Sequence, residues 1–162
     1  SRLDSIREKK QAVLHMDIPT DWELYGDPFY WTQILFNLVE NALKQNTEPG
    51  LSITVAAAKT QDACVITVTD TGVGIPAESI PFLFNRFYRV ETHHSSEIRG
   101  TGLGLSIVKR AVEAHDGAIT VSSIPHRETV FTITIPLKRF REEKRIRQLS
   151  QVSIETSANK ST

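Results

Sequence analysis

The sequence predicts a single α+β domain, and three observations support this fold class. With 162 residues, 40% of them hydrophobic and 23% charged, the chain has the size and composition of one globular unit with a real core. A long stretch with apolar residues at helical spacing follows Asp27-Pro28. Two β-rich segments, 51–58 and 63–69, flank the polar run Thr60-Gln61-Asp62, which predicts a β-hairpin.

The chain before this hairpin is predicted to form two helices and one strand. Residues 3–13 are typical of a short helix, and Val13–Ile18 of a strand. Asp27-Pro28 is a strong helix start, because an acid at the N-cap and a proline in the first turn both favour it. The helix extends to about Asn46, before the break at Glu48-Pro49-Gly50. Its apolar stripe consists of Ile34, Leu35, Leu38, Val39 and Ala42.

The chain after the hairpin is predicted to contain a long loop, a helix and two further strands. Residues 76–100 are mostly irregular, with a short helix near Ala77–Asn85, and so long a loop is a lid candidate. Leu103–His115 is predicted as a helix, followed by strands near 118–123 and 129–135.

The C-terminal segment is predicted to lie outside the fold, which ends at Pro136. Residues 138–147 carry six basic and two acidic side chains and can form a basic helix. A solvated helix face is the preferred interpretation of this run, ahead of contact with an acidic partner or nucleic acid. Residues 150–162 are rich in Ser, Thr and Asn and are expected to be disordered. The predicted domain boundaries are therefore 1–137 and 138–162.

Charge and cysteine content narrow the class of protein. The net charge is zero, so no overall field favours nucleic acid or a membrane surface. Cys64 is the single cysteine, which excludes an internal disulfide and predicts a small core residue in a reducing compartment. The sequence shows no signal peptide and no apolar run long enough to span a bilayer. The chain lacks an initiator Met and begins in a charged segment, so we expect a fragment of a longer protein.

Five of the eight glycines fall in two short clusters, Asp70–Ile75 and Gly100–Leu105. Glycine at such positions lets the backbone come close to a ligand, with its N–H groups facing inward. The second cluster leads directly into a predicted helix, whose N-terminal dipole attracts an anion. The acid of the first cluster favours a hydrogen-bond donor instead. Together the clusters predict a nucleotide held at both ends.

One face of the predicted long helix carries Asn37, Asn41 and Lys44, at spacings of four and three residues. Most polar helix faces are simply solvated, and that alternative stays open here. Asparagine is a poor residue for a helix interior, however, and two of them one turn apart indicate a function. Amide oxygens suit Mg²⁺, which also binds phosphate oxygens.

Four segments together are similar to the sequence boxes of sensor histidine kinases. Gln33–Lys44 resembles their N box, Asp70–Pro76 the G1 box, Phe82–Val90 the F box and Arg99–Lys109 the G2 box. The chain thus resembles, over roughly 1–137, the catalytic ATP-binding domain of a two-component sensor histidine kinase. The wider superfamily includes DNA gyrase B, the Hsp90 chaperone and MutL. The resemblance implies a two-layer α/β sandwich, with helices packed on one face of a mixed sheet and ATP between the helices and a flexible lid.

For the base of the nucleotide, the resemblance implies an acid and its surroundings. Asp70 matches the acid that accepts a hydrogen bond from the adenine amino group, where guanine presents a carbonyl. Taken alone, Asp70 is equally typical of a turn before glycine. Gly72 and Gly74 would let adenine approach the backbone. Ile75 would cover one side of the pocket, and Thr129 would lie close to the acid.

For the phosphates, the resemblance implies residues of the long helix and of the second glycine cluster. Asn41 matches the Mg²⁺ ligand, with Asn37 supporting it, and Lys44 matches a phosphate contact. Glycines of the second cluster would let the end of the lid bend around the triphosphate. The nucleotide contacts implied there are Gly100, Thr101, Gly102, Leu103, Gly104 and Leu105.

In the lid, Tyr88 and Arg89 match positions near the sugar and phosphates. Arg86 is also of the phosphate-facing type, and an arginine at the transferring phosphoryl group can stabilise transition-state charge. Contact with a partner helix is one interpretation of the lid phenylalanines; anchoring of the lid to the core is preferred. These residues are Phe82, Phe84 and Phe87.

The resemblance also bears on mechanism. Superfamily members that hydrolyse ATP carry a glutamate one helical turn before the Mg²⁺ asparagine, and here that position is Asn37, which cannot act as a base. Glu40 is a weaker candidate, since a helix directs it about 100° away from Asn41. Slow intrinsic hydrolysis is therefore predicted. None of the five histidines has the sequence context of the family's phosphoacceptor, which lies in a dimerisation domain.

Several positions depart from the family pattern or carry an ambiguous histidine. His93-His94 is interpreted as part of a polar lid, ahead of a metal site, because no further ligand is spaced for one. His115 is expected to be a structural cap. The departures are Gln45 after the N box, Arg99 before the second glycine cluster, Asp116 in place of a glycine, and His126-Arg127-Glu128 before Thr129.

The preferred interpretation is a cytoplasmic Mg²⁺–ATP-dependent protein-histidine kinase domain that donates its γ-phosphoryl group to a separate dimerisation and phosphotransfer domain. A response regulator is the expected partner, the isolated domain is expected to be monomeric, and any membrane contact would come through other regions. Two alternatives remain: an ATP-sensing module without phosphotransfer, and a serine kinase of the anti-sigma type.

Overall fold

The computed structural model describes residues 11–19, 28–46, 48–90 and 103–137. These residues form five strands, two α-helices and one short 3₁₀ helix. In chain order, the elements are β1 (Val13–Asp17), α1 (Pro28–Gln45), β2 (Ser52–Lys59), β3 (Ala63–Asp70), the 3₁₀ helix Ala77–Phe82, α2 (Gly104–Ala114), β4 (Ala118–Ile124) and β5 (Glu128–Pro136).

The strands form one mixed sheet in the order β1-β2-β3-β5-β4. β1 pairs in parallel with β2, and every other neighbouring pair is antiparallel. The predicted hairpin is confirmed, because Thr60 and Asp62 lie in the turn between β2 and β3. The central strand is β3, and its last residue, Asp70, pairs with Thr129 of β5 and Ile53 of β2.

Both helices pack on one face of this sheet, as the predicted fold requires. Alternate residues of the central strands are buried, which is the pattern of a sheet covered on one side. Ile34 and Leu38 of α1 are almost completely buried, as are Val108 and Val112 of α2. The same core contains Cys64, as predicted, and burial raises the pKa of its thiol to about 11 although Lys59 lowers it.

Two predicted helices differ from those in the structure. Gln11 has a φ of 50° and Val13 begins β1, so the expected helix over 3–13 does not reach its predicted end; residues 3–10 lie outside the described ranges. The Val13 amide instead donates to the Leu51 carbonyl, 2.8 Å away, at the start of the parallel pairing. The helix expected near Ala77–Asn85 is 3₁₀ and ends at Phe82, since it contains Pro81, which has no N–H to donate.

Two departures from the family pattern occupy backbone conformations that glycine adopts most readily. Asp116, just after α2, has a φ of 56°, and His126, in the turn between β4 and β5, has a φ of 60°. The His126 amide donates to the Val73 carbonyl at 2.7 Å, so this turn contacts the first glycine cluster.

No helix within the described ranges is both long and apolar enough to cross a membrane. The C-terminal segment 138–162, which includes the predicted basic helix, lies outside those ranges, as does the predicted N-cap residue Asp27. Their predicted roles are therefore not tested.

Candidate functional site

A cleft opens between α1, the end of β3, the start of α2 and the segment 83–90. Most of the predicted site residues that the structure describes line it: Asn37, Asn41, Lys44, Asp70, Gly74, Ile75, Tyr88, Arg89, Gly104, Leu105 and Thr129. Three others, Gly72, Arg86 and Leu103, are not part of its lining. Some predicted nucleotide contacts lie outside the described ranges, namely Gly100, Thr101 and Gly102. The same is true of Arg99, His93 and His94.

Asp70 lines the cleft and is 6% exposed. Its Oδ1 accepts a hydrogen bond from the Gly72 amide at 2.9 Å. Burial raises the pKa of the Asp70 carboxyl above its ordinary value, while hydrogen bonds from the Gly72 amide and the Asn46 side chain oppose that rise. The carboxylate is therefore a nearly buried acceptor with two donors already directed at it.

Asn46, which sequence reasoning did not select, connects α1 to the loop after Asp70. It is 4% exposed, and its Nδ2 donates to the Ala42 carbonyl at 2.6 Å. Its Oδ1 accepts from the Val73 amide at 2.7 Å. An asparagine directly after the last helical residue was the available sequence signal, because such a side chain can satisfy carbonyls that a helix end leaves unpaired.

The two glycines of the first cluster are required by close packing within the protein. A Cβ on Gly72 would lie 1.9 Å from the Asn46 Oδ1, which is a severe overlap. Gly74 has a φ of 73°, and a Cβ there would lie 2.7 Å from the Ile124 carbonyl oxygen. These contacts give the glycines a structural role independent of the close approach of adenine, which stays a prediction.

Ser123 of β4 fixes the other side of the same loop. Its Oγ accepts from the Ile75 amide at 2.8 Å and donates to the Glu128 carbonyl at 2.8 Å. The Thr129 Oγ1 lies 3.2 Å from the same Oγ, and since the single proton of Ser123 is already used, Thr129 must be the donor. Thr129 consequently retains only lone pairs for a ligand, so it and Asp70 are both acceptors.

The predicted polar face of α1 forms one wall of the cleft. The Asn37 Nδ2 donates to the Gln33 carbonyl at 2.8 Å, one turn back. Its Oδ1 faces the start of α2, where a Cβ on Gly104 would lie only 3.3 Å away. The half-buried Asn41 lines the cleft, and no hydrogen bond joins its side chain to another residue of the described ranges.

Glu40 also lines the cleft, although its direction on an ideal helix differs by about 100° from that of Asn41. Its carboxylate forms an ion pair with Lys44, one helical turn later. The side chains are 13% and 27% exposed, so the pair is largely shielded from solvent. Glu40 and Lys44 are four residues apart and therefore lie on the same face of the helix, where oppositely charged side chains can meet.

The segment 83–90 contributes Tyr88 and Arg89 to the cleft, whereas Arg86 is exposed outside its lining. Phe84 packs on the core, with its ring centroid 6.3 Å from that of Phe131.

The expected anchoring role of the other two lid phenylalanines is wrong. Phe82 is 50% exposed and Phe87 is 72% exposed. Phe82 packs against Tyr88 at the surface, with ring centroids 5.8 Å apart, and Phe87 lies in a turn where its φ is 64°. Phe84 alone of the three reaches the core cluster, because the chain turns immediately after it.

His115 is the C-cap residue of α2, in agreement with its expected structural role. It is 3% exposed, with Nδ1 2.8 Å from the Ala111 carbonyl oxygen. Its ring also packs against Tyr30 and Trp31 of α1, so it joins the two helices.

Comparison with known proteins agrees with this architecture. A family model described as "Histidine kinase-, DNA gyrase B-, and HSP90-like ATPase" matches residues 26–139. Sensor histidine kinase WalK of Bacillus subtilis is 39% identical over 138 residues, which are 83% of this chain and 23% of that protein. Adaptive-response sensory kinase SasA of Synechococcus elongatus is 38% identical over 85% of this chain and 36% of its own length. The chain thus spans about a quarter to a third of these relatives.

Solved structures show the same fold. A mycobacterial sensor histidine kinase, MprB, superposes with a TM-score of 0.71 and 28% identity over 83% of this chain and 90% of that one. The catalytic domain of histidine kinase ThkA superposes with a TM-score of 0.68 and 25% identity, covering 83% and 86% of the two chains.

Proposed function

The chain belongs to the histidine kinase-, DNA gyrase B- and HSP90-like ATPase family, and on that premise we propose that it binds Mg²⁺–ATP and donates the γ-phosphoryl group to a histidine of a separate domain. One observation carries the proposal: a single cleft is lined both by nearly buried acceptors at the strand ends and by amide and cationic side chains of α1 and of the segment 83–90. Such a cleft is complementary to a base amine and to phosphates, respectively.

Base selection would depend on the two acceptors at the end of the central strands. Asp70 and Thr129 are paired residues of β3 and β5, and both present lone pairs. Adenine would donate its exocyclic amino group to them. Guanine carries a carbonyl at that position, which would leave buried acceptors facing one another and lower its affinity strongly.

Phosphate binding would depend on Lys44 and Arg89, with Asn41 as the ligand of Mg²⁺. The donor set fits that ion: Mg²⁺ retains waters and is held largely by substrate phosphates, so one amide oxygen suffices from the protein. Within the described ranges no cluster of three or more His, Cys, Asp or Glu residues could hold a metal alone. When bound, the ion would neutralise phosphate charge.

Transfer would follow from positioning in this cleft. The lone pair of an imidazole nitrogen attacks the γ-phosphorus, the bond to the β–γ bridging oxygen breaks, ADP leaves with that electron pair, and the imidazole proton passes to solvent. Arg89 and Lys44 would stabilise the charge that develops on the phosphoryl oxygens. Because Glu40 is paired with Lys44, it is poorly disposed to activate water, and slow intrinsic hydrolysis is expected.

The biological setting belongs to the same proposal. The names of the relatives place them among sensor kinases, so the acceptor would be a dimerisation and phosphotransfer domain and the final recipient a response regulator. Residues 1–137 would form the kinase domain and 138–162 an extension, in a monomer that works in the cytoplasm.

Incubation with Mg²⁺ and γ-labelled ATP tests the proposal, with a histidine phosphotransfer domain supplied as a separate polypeptide. The expected result is an acid-labile label on the acceptor, absent when its histidine is replaced. Calorimetry of the chain with ATP gives the second measurement. Binding without transfer would favour a nucleotide-sensing module, and no binding at about millimolar ATP would contradict the proposal altogether.

A further inference from the structure

We propose that Asn46 is a positioning residue for base recognition, which holds the Asp70 carboxylate and the turn after it in the orientation that accepts the adenine amino group. Because this role depends on the proposed function, its test includes a measurement on the nucleotide-free protein. Asn46 is the residue immediately after α1, and it lies against the loop that follows the central strand.

The contacts of Asn46 use all of its hydrogen-bonding groups on different elements. One Nδ2 proton goes to the Ala42 carbonyl, among the last four of the helix, and the side chain also bonds to the Asp70 carboxylate. An amide can only donate to an ionised carboxylate, so this second bond uses the remaining Nδ2 proton. The Oδ1 accepts from the Val73 amide. Asn46 thus connects the helix end, the acid and the turn.

Gly72 provides an independent geometric reason to assign this role. The Asn46 amide occupies the space where any other residue at position 72 would carry its Cβ, and the nearest three atoms all belong to this amide. The missing side chain at position 72 leaves room for the Asn46 amide, and the Asn46 amide fixes the position of the loop after Asp70.

The charge of Asp70 is the property that Asn46 would control most directly. Burial disfavours the ionised carboxylate, and the Asn46 and Gly72 donors counteract this effect. The other charged groups of the described cleft are Glu40, Lys44 and Arg89, and the first two are paired with each other. Loss of the Asn46 donor should raise the pKa of Asp70 further, so that the acceptor is lost at a higher pH.

Ser123→Ala supplies a matched control. Ser123 holds the same loop through the Ile75 amide but, within the part of the chain that the structure describes, forms no hydrogen bond with the Asp70 carboxylate. Its removal should loosen the loop and weaken the binding of both nucleotides, and because it also releases the Thr129 hydroxyl it serves as the control for the Asp70 titration only. Asn46→Ala should instead weaken ATP selectively.

The test compares the unaltered chain with Asn46→Ala, Asn46→Ser and Ser123→Ala. In the free protein, the midpoint of the Asp70 side-chain ¹³C carboxyl resonance is followed by NMR as pH changes. We expect it to move to higher pH in Asn46→Ala, less in Asn46→Ser, whose hydroxyl can still donate, and not in Ser123→Ala. Asn46→Ser also serves if Asn46→Ala fails to fold.

Calorimetry with ATP and GTP then measures the consequence for recognition. We expect the preference for ATP to fall about tenfold or more in Asn46→Ala, as the loss of a hydrogen bond to a charged group predicts. The ratio of its ATP dissociation constant to that of the unaltered chain should grow as pH falls. Because the two dissociation constants are compared at the same pH, the titration of the ATP phosphates affects both equally and cancels in the ratio.

The outcomes separate the two proposals. An unmoved carboxyl midpoint, or an unchanged ATP preference, in a chain that binds ATP overturns the role of Asn46 and leaves the proposed function intact. Failure of the unaltered chain to bind ATP overturns the proposed function, and this role with it, whatever the midpoint does.

Discussion

The two groups of residues proposed to bind the base and the phosphates are built differently. Around Asp70, the polar groups are buried and connected: Asn46 and Ser123 each bond to backbone amides of the loop, and Thr129 donates to Ser123. On α1, Asn41 is half-buried, and the cationic Lys44 is already paired with Glu40.

This difference indicates how the binding energy would be distributed. The acceptors proposed for the base are already held by hydrogen bonds, so base recognition would cost little reorganisation. The residues proposed for the phosphates would have to exchange one partner for another, because Lys44 cannot fully serve Glu40 and a phosphate at once. We therefore expect changes around Asp70 to alter affinity and selectivity, and changes on α1 to alter transfer.

The largest effect is expected from Asn41→Ala. Without the amide oxygen that would hold Mg²⁺ on the γ-phosphate, transfer to an added acceptor domain should be abolished, while ATP still binds through the residues around Asp70. Labelled-ATP transfer and calorimetry on the same preparation measure the two properties. Full transfer by this variant would show that Asn41 is not the metal ligand.

Asp70→Asn should weaken ATP binding about a hundredfold, because a buried charged acceptor is replaced by a neutral group that can also present a donor. Calorimetry measures the affinity, and circular dichroism checks that the sheet is retained. Thr129→Val, which removes the neighbouring acceptor without changing charge, should have a smaller effect. An Asp70→Asn protein with unchanged affinity would refute the proposed role of Asp70 in binding the base.

Gly72→Ala should lower the free energy of unfolding by about 2 kcal/mol, since the new methyl group overlaps the Asn46 amide and one of them must move. Denaturant titration measures the loss. In the double variant Gly72→Ala/Asn46→Ala the overlap disappears, so the two losses should not add. Additive losses would place the strain elsewhere.

The smallest effect is expected from Glu40→Gln. Releasing Lys44 from its ion pair should tighten ATP binding about threefold at low ionic strength, within the range of a partly exposed pair. Glu113→Gln is the matched control, because Glu113 pairs with Lys109 at the same helical spacing on α2, outside the cleft. Weaker binding by Glu40→Gln would mean that Glu40 itself contacts the ligand or its metal.

Much of the fold could be predicted because its determinants are local. The apolar stripe that includes Ile34 and Leu38 predicted α1, and the polar run from Thr60 to Asp62 predicted the hairpin. Local patterns gave wrong lengths for two predicted helices. The predicted first helix ran into β1, where parallel pairing with β2 decides the conformation, and Pro81 kept a predicted helix short.

The candidate site was predictable as a set of residue types but not as a network. Asp70, Asn41 and Lys44 stand out by composition and spacing. Asn46 and Ser123 do not, because their partners lie 27 and 48 residues away in the sequence and only the folded sheet brings them together. The exposure of Phe82 and Phe87 was not predicted either, since a hydrophobic residue at the end of a 3₁₀ helix or in a turn can face either way.

The pairing of Asp70 with Thr129 places the proposed base acceptors on β3 and β5, two adjacent interior strands of the sheet. Amide protons of such strands exchange with solvent mainly through global unfolding. Discrimination between purines should therefore persist on heating until the domain as a whole melts, even where catalysis has already declined.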